Sequence, residues 1–206
     1  GEDGTVQGLL KLLGKPFVGS EVLGSAVGMD KDVMKRLLEH AGLPVVKWLA
    51  VKQIDKEKYT FAQVREKLGP VIFVKPANLG SSVGVHKVRT IQEYKQAVEE
   101  AFLYDSKILL EQGIEAREIE CAVLGNDRAE SSIPGEIIPS HDFYSYEAKY
   151  LDEQGARIVI PAQLSQEKTK DIQGVAIQTF QTLCVEGLAR VDFFVEKMTE
   201  KVYVNE

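Results

Sequence analysis

Cysteine is scarce in this chain of 206 residues, only Cys121 and Cys184, and no CxxC spacing joins them. Neither a disulfide framework nor a cysteine-ligated metal site is therefore its organising principle. Both cysteines lie among apolar residues and read as small buried hydrophobes, in keeping with a reducing cytoplasm. Long hydrophobic runs are missing too: none approaches a membrane span, and no signal-peptide pattern is present. Nor is there an excess of positive charge. With 25 Lys and Arg against 31 Asp and Glu, the net charge is −6 and the pI about 5.3, which argues against a nucleic-acid backbone as the main partner. Internal repeats and low-complexity tracts are absent. What is there, 44% hydrophobic and 27% charged residues, is the make-up of an ordinary soluble globular protein, long enough for one large domain or two small ones.

The most informative stretch is Val71 to Val85, VIFVKPANLGSSVGV. Val71-Ile72-Phe73-Val74 has the length and residue types of a buried strand. It ends on Lys75-Pro76 and opens into a loop containing Gly80, Ser81, Ser82 and Gly84. Glycines let backbone approach a ligand, seryl hydroxyls and loop amides can donate to an anion, and Lys75 supplies a compact positive charge. An ordinary hairpin turn has the same composition. The loop is not a Walker motif, which needs Gly-Lys-Ser/Thr followed by a helix; here Gly84 to Val88 reads as a second strand.

Apolar residues at helical spacing predict a helix over Thr5 to Leu13, followed by a short strand at Phe17-Val18 and a helix from about Ser20. Asp30 is a natural N-cap for the next helix, with Val33, Leu37 and Leu38 as its buried stripe and Gly42 at its end. Lys31 falls in the first turn, where the helix dipole disfavours a cation; it is either a solvated lysine or one that meets a phosphate. Val45 to Val51 reads as a strand. Thr60 to Gln63 and Thr90 to Glu93 are capping boxes, for helices running to Leu68 and about Phe102. Lys107 to Leu110 is a strand. In Arg117 to Leu124, Ile119, Cys121 and Val123 share one face and Glu118 and Glu120 the other. Pro134 to Ile138 and Arg157 to Ile160 are further strands. Ser165 to Glu186 is a long helix capped by Gly187, its buried face carrying Ile172, Val175, Ala176, Phe180 and Leu183. Between them Phe143 to Tyr150, FYSYEAKY, lies in a long polar connection of the kind used for lids.

The last segment is a hairpin. In Ala189 to Phe194, Arg190 and Asp192 occupy alternate positions and so share a face. A turn at Met198 to Lys201 returns the chain antiparallel over Val202 to Glu206. A turn centred on Thr199 makes paired numbers sum to 398 and sets Asp192 opposite Glu206. Two carboxylates so placed repel unless a cation lies between them, and Mg²⁺ takes such ligands together with phosphates. The other reading is a pair of solvated acids on an exposed hairpin. The chain starts without methionine and stops in mid-strand, so it reads as a piece of a larger protein.

The strand–glycine loop–strand unit with its lysine resembles the nucleotide clamp of ATP-grasp ligases. In order, GEDGTVQG, MDK, VKPANLGSSVG, LLEQG, REIECAVLGN, YEAKY, ARVDFF and VYVNE resemble the D-alanine–D-alanine ligase family along essentially the whole chain. That resemblance implies an α+β, ATP-grasp fold, two α+β subdomains clamping a nucleotide between them. Residues 1–28 would end an N-terminal domain, 29–113 form the central ATP-grasp domain, and 114–206 part of the C-terminal one. It further implies ATP-dependent joining of two D-alanines through an acyl phosphate, for peptidoglycan precursor synthesis, with Mg²⁺, or Mn²⁺ in its place. By resemblance Lys31 and Lys75 hold phosphates, and Lys149 reaches the nucleotide from the lid. Glu111, Gln112, Gly113 and Ile114 line the adenine pocket and Glu118 takes the ribose. Ser82, Phe143, Phe194 and Asn205 complete the nucleotide-binding set. Asp192 and Glu206 are the metal ligands; a third, an asparagine two residues on, would stand beyond the last residue. Arg190 would stabilise the oxyanion, and Ser81 and Tyr150 would pair to close the lid. The full-length enzyme would be cytoplasmic and homodimeric, its partners the small molecules D-alanine and ATP, with no nucleic acid or membrane among them. A ligase making D-alanyl-D-lactate, another ATP-grasp carboxylate–amine ligase, and a non-catalytic nucleotide-binding fragment remain as alternatives.

Overall fold

The computed structural model describes residues 2–140 and 155–206; Phe143, Lys149 and Tyr150 lie outside the described residues. The described chain groups into two compact units: residues 46–115 with 140 and 155, and residues 2–45, 116–139 and 156–206.

In the first unit four antiparallel strands lie in the order β1-β4-β2-β3: β1 (Trp48–Lys52), β4 (Lys107–Gln112), β2 (Ile72–Pro76) and β3 (His86–Val88). Helices α4 (Phe61–Leu68) and α5 (Ile91–Tyr104) cover one face. Both begin with the capping boxes visible in sequence: Thr60 accepts from the Gln63 amide and Thr90 from the Glu93 amide. Val64, Leu68, Val98 and Ala101 from the helices meet Val51, Ile72, Val74 and Leu110 from the sheet in one apolar core.

The second unit carries a sheet ordered β10-β9-β5-β7-β8, with β6 (Glu130–Ser131) also on β5. Its strands are β5 (Ala116–Gly125), β7 (Gly135–Pro139), β8 (Ala156–Val159), β9 (Gly187–Glu196) and β10 (Val202–Val204). The longest ladder joins β5 to β9 from Ala116↔Glu196 to Gly125↔Gly187. Strict alternation sends Ile119, Cys121, Val123, Val191, Phe193 and Val195 inward against α6 (Gln166–Thr182), which presents Ile172, Ala176 and Phe180. Helices α1 (Thr5–Leu12), α2 (Val22–Met29) and α3 (Lys31–His40) belong to this unit. Met34 and Leu38 of α3 join its core, so α3 groups with the 116–206 stretch and not with the rest of 29–113.

Several local expectations change. No strand forms at Phe17-Val18, and Val18 is exposed. The strand expected from Val45 starts at Trp48; Val45 bridges in parallel to Val204 instead. The face α3 buries is shifted from the expected stripe: Lys31, Asp32, Met34, Lys35 and Leu38 are buried, while Leu37 is exposed. Helix α6 stops at Thr182, before the expected Gly187, because Cys184 adopts φ 55°. The Cys184 amide then donates to Gln181 O and the Val185 amide to Phe180 O, closing the helix with the paired bonds usually built around glycine. That cap holds Cys184 at the surface, against the expectation of burial, whereas Cys121 is buried and its thiol pushed up to about 11 by desolvation.

Tyr94 closes the core of the first unit, its hydroxyl donating to Tyr59 O at 2.8 Å and its ring tilted against Phe61. Burial pushes the phenol up from 10.0 to about 12. The unfolded chain then loses this proton before the folded one, so the stability the group contributes is full below pH 10 and lost as pH rises towards 12. Tyr94→Phe is expected to flatten the fall in denaturation midpoint over that interval; an unchanged slope would exclude Tyr94 as its source.

Candidate functional site

In the first unit, β2 and β4 set Lys75 and Glu111 diagonally on one sheet face, Lys75 opposite Leu109 and Glu111 opposite Phe73. Lys75 Nζ lies 2.6 Å from Glu111 Oε2, and the two residues are 8% and 2% exposed. A buried pair of this kind gives the ammonium at the strand end a carboxylate partner in place of the water that burial removes. Past it, the amides of Gln112 and Gly113 donate to Lys47 O and Val71 O at 2.9 Å each. These two donors are therefore engaged within the protein. Gly113 is needed for this close approach: a Cβ would meet Val71 Cγ1 at 2.6 Å.

The loop after Lys75 is anchored at both ends. Asn78 donates from its amide and its Nδ2 to Asp105 Oδ2, both at 2.9 Å, and Asp105 Oδ1 accepts from the Lys107 amide at 3.1 Å. At the far end Gly84 sits over the Tyr104 ring, where a Cβ would come within 2.8 Å. Between the anchors Ser81 and Ser82 both adopt left-handed backbone, φ 56° and 59°. For a non-glycine residue this costs about 1–2 kcal/mol each, strain of the kind that gathers where backbone is held ready for a ligand.

The second unit holds the charged centre. Within β9–β10 the register is Val202↔Val195, Tyr203↔Phe194 and Val204↔Phe193, so paired numbers sum to 397 and not to 398. Beyond Val204 the ladder bulges. The amides of Asn205 and Glu206 both donate to Asp192 O, at 2.8 and 3.3 Å, and the Asp192 amide donates to Glu206 O at 2.8 Å. Two residues thus oppose one. Glu206 does come opposite Asp192, as expected, but through a bulge that the assumed turn did not contain.

Asp192 spends its amide and carbonyl on this β10 side. Its pair with Glu120 on β5 is therefore the non-hydrogen-bonded kind, in which opposed side chains approach more closely. Arg190 meets both acids. It grips Asp192 with two bonds, Nε to Oδ1 at 2.6 Å and Nη2 to Oδ2 at 2.8 Å, and its Nε lies 3.3 Å from Glu120 Oε2. Asp192 and Glu120 hold the guanidinium firmly protonated. Burial raises the Glu120 carboxyl above its ordinary value, Arg190 opposing the shift and Asp192 adding to it. Lys31 comes from the first turn of α3, where Asp30 caps the helix by accepting from the Asp32 and Val33 amides. Lys31 Nζ binds Glu206 Oε1 at 2.7 Å, the lysine side chain 5% and the glutamate side chain 39% exposed. Asp32, buried beside it, pairs with Arg36.

Asn205 Oδ1 is buried with no partner among the described residues. Together with the carboxylates of Asp192 and Glu206, these are oxygen donors of the type a hard divalent cation takes. Among the described residues no group of three or more His, Cys, Asp or Glu is placed to hold a metal ion; two carboxylates completed by phosphate oxygens suit Mg²⁺ or Mn²⁺ better than an all-protein cage.

The structure brings Lys31, Glu118, Arg190, Asp192, Phe194, Asn205 and Glu206 into one unit, and Lys75, Ser81, Ser82, Glu111, Gln112, Gly113 and Ile114 into the other. Glu118 stands opposite Phe194, which in turn faces Tyr203. Sequence reasoning passed over Glu120, Asp105 and Lys35. Glu120 alternates with Glu118 on a recognisable strand, but only the β5–β9 register reveals that it faces Asp192. Lys35 lies one turn from Lys31, a position that by itself reads as surface.

Residues 37–206 match the family described as "D-ala D-ala ligase C-terminus". Over all 206 residues the chain is 53% identical to the D-alanine–D-alanine ligase of Oceanobacillus iheyensis, 54% to that of Shouchella clausii and 50% to D-alanine–D-alanine ligase A of Escherichia coli K12. It spans 56% of each of these relatives, about half their length. Among solved structures, the D-alanine–D-alanine ligase from Coxiella burnetii superposes with a TM-score of 0.87 at 42% identity, over 100% of this chain and 54% of that one. The VanG D-Ala:D-Ser ligase from Enterococcus faecalis gives 0.89 at 36%, over 100% and 59%.

Two stability measurements follow from these ion pairs. Lys75→Met leaves Glu111 buried without its ammonium and is expected to cost about 3–5 kcal/mol in chemical denaturation, most of it recovered when Glu111→Leu is added. A single variant as stable as the parent would show the pair to be idle. Glu206→Gln, measured without metal, is expected to lose about 1–2 kcal/mol, because Lys31 is deprived of a carboxylate. A gain would instead mean that repulsion from Asp192 dominates.

Proposed function

The chain belongs to the D-alanine–D-alanine ligase family, with its α+β, ATP-grasp fold, and on that footing we propose that it supplies the nucleotide- and metal-binding part of a full-length ATP-dependent ligase joining two D-alanines. The observation that carries the reading is the β10 bulge, which gathers Asp192, Asn205 and Glu206 beside Arg190 and Lys31.

The chemistry asks for such a centre. A carboxylate oxygen is a poor leaving group, so the γ-phosphoryl of ATP is first transferred to the carboxylate of one D-alanine. The amine of the second attacks the acyl phosphate, the tetrahedral oxyanion collapses, and phosphate departs. Phosphoryl transfer depends mainly on positioning and charge neutralisation. Lys75, paired with Glu111, and Lys31, paired with Glu206, hold phosphate oxygens. Asp192 and Glu206 would hold Mg²⁺ or Mn²⁺, which would supply neutralisation of phosphate charge, and Asn205 contacts the nucleotide. Arg190 stabilises the oxyanion. Ser81 and Ser82 present hydroxyls on the anchored loop, and Glu118 accepts from the ribose. With the Gln112 and Gly113 amides engaged, the adenine edge is read by other groups of the 111–114 segment. Lys149 and Phe143 contact the nucleotide from the lid, and Tyr150 pairs with Ser81.

D-alanine is preferred over D-serine as the second substrate because the relatives named D-alanine–D-alanine ligase reach 50–54% identity against 36% for the D-Ala:D-Ser enzyme. The full-length enzyme would serve peptidoglycan precursor synthesis in the cytoplasm as a homodimer acting on small molecules. The acidic balance and the free thiols of Cys121 and Cys184 support that setting.

The full-length protein is expected to release phosphate from ATP in a D-alanine-dependent manner and to form the dipeptide. Tyr150→Phe removes one neutral hydrogen bond, so turnover should fall about tenfold while ATP affinity stays within twofold. Phosphate release indifferent to D-alanine would sink the proposed reaction, and a parallel loss of ATP affinity would move Tyr150 into the nucleotide site.

A further inference from the structure

Arg190 takes a lone pair on each oxygen of Asp192, at 2.6 and 2.8 Å. A divalent ion that draws on this carboxylate therefore competes with the guanidinium for it. A displaced arginine would then swing free, since its side chain is 58% exposed, and it would leave the position from which it acts. Glu120 removes that difficulty. It stands directly across the β5–β9 ladder from Asp192, on the same face, in a pair whose side chains approach closely. Its Oε2 is already 3.3 Å from Arg190 Nε, and its side chain is only 20% exposed, so it has less freedom to turn away. Nothing in the reaction outlined above requires this acid.

The geometry points to Glu120 as a positioning residue that takes over Arg190 when Asp192 turns to the metal, keeping the guanidinium on the sheet face beside the reacting groups. The role rests on the proposed ATP- and metal-dependent reaction and adds to it a partner exchange: in the metal-free protein Arg190 is shared between Asp192 and Glu120, and in the loaded protein it belongs to Glu120. Lys31 acts in parallel on Glu206, the other carboxylate of the centre.

The test is a double-mutant cycle read by metal uptake, independent of turnover. Mn²⁺ binding to the full-length protein with a non-hydrolysable ATP analogue is followed by electron paramagnetic resonance. Glu120→Gln removes the acid that shares Arg190 with Asp192 and is expected to weaken Mn²⁺ uptake roughly two- to fivefold, the size of a partly exposed charge pair. With Arg190→Gln already in place, the same change should leave uptake unaltered. Equal weakening in both backgrounds overturns the proposal, because Glu120 would then act on the ion directly through its charge. No weakening in either overturns it as well. Glu120→Asp keeps the charge but shortens its reach, and carries the test if Glu120→Gln fails to fold. It should weaken uptake only while Arg190 is present, whereas a charge-only role leaves it neutral throughout. Failure of the parent protein to take up Mn²⁺ with nucleotide would instead remove the proposed function, and this role with it; normal uptake untouched by Glu120→Gln removes this role alone.

Discussion

Three carboxylates crowded onto one patch of sheet set the terms for the second unit. Glu120 on β5, Asp192 on β9 and Glu206 past β10 face one another across two ladders. Opposed like charges on adjacent strands destabilise a sheet. The arrangement persists because each acid has a cation: Arg190 lies between Glu120 and Asp192, and Lys31 reaches Glu206 from α3. On the proposed function the same balance prepares a place for a divalent ion, since replacing one counter-charge with another costs far less than ionising an apolar site. The position of α3 follows from this. A helix whose first-turn lysine must reach Glu206 has to pack on this sheet, and Met34 and Leu38 fasten it to the core shared with Phe180 and Phe193.

The first unit solves a different problem with similar means. Its lysine sits at the end of a buried strand, where an unpaired charge is unfavourable, and Glu111 pairs with it. The loop beyond combines firm ends with a strained middle. Asp105 ties down Asn78, Tyr104 lies beneath Gly84, and Ser81 and Ser82 between them hold left-handed backbone. Residues 104 and 105, consecutive at the end of α5, thus fix both ends of a loop that is remote from them in sequence. A loop closed in this way loses little further entropy when a ligand orders its tip.

Much of this was legible from the residues. Both capping boxes, the Asp30 cap, the inward face of β5 and the shared face of Arg190 and Asp192 depend on neighbours within four positions, so local spacing suffices. Composition showed the scarcity of cysteine but not the fates of the two present. Cys184 is at the surface because it occupies the left-handed cap of α6, a place where glycine is the usual signal. The buried stripe of α3 was misread for a related reason. Charged residues count as outward in any hydrophobic pattern, whereas Lys31, Asp32 and Lys35 are buried, Lys31 against a Glu206 carboxylate that is remote from it in sequence.

The sequence by itself determined most of the elements, their order, and the residue types suited to phosphate, metal and nucleotide, because helix caps, strand alternation and motif spacing are short-range properties of the chain. The tertiary structure alone decided which of those residues meet. A strand's register is invisible in its own residues, as a slip of one position preserves every local preference while exchanging the two faces. The bulge at Asn205 and Glu206 makes such a slip at one point, turning a 397 ladder into a 398 pair and bringing Glu206 to Asp192. Likewise Glu120 becomes a partner of Arg190 only through a ladder joining segments about seventy residues apart in sequence. Hydrogen bonds and burial summed over that whole ladder fix its register, a sum that no single segment contains.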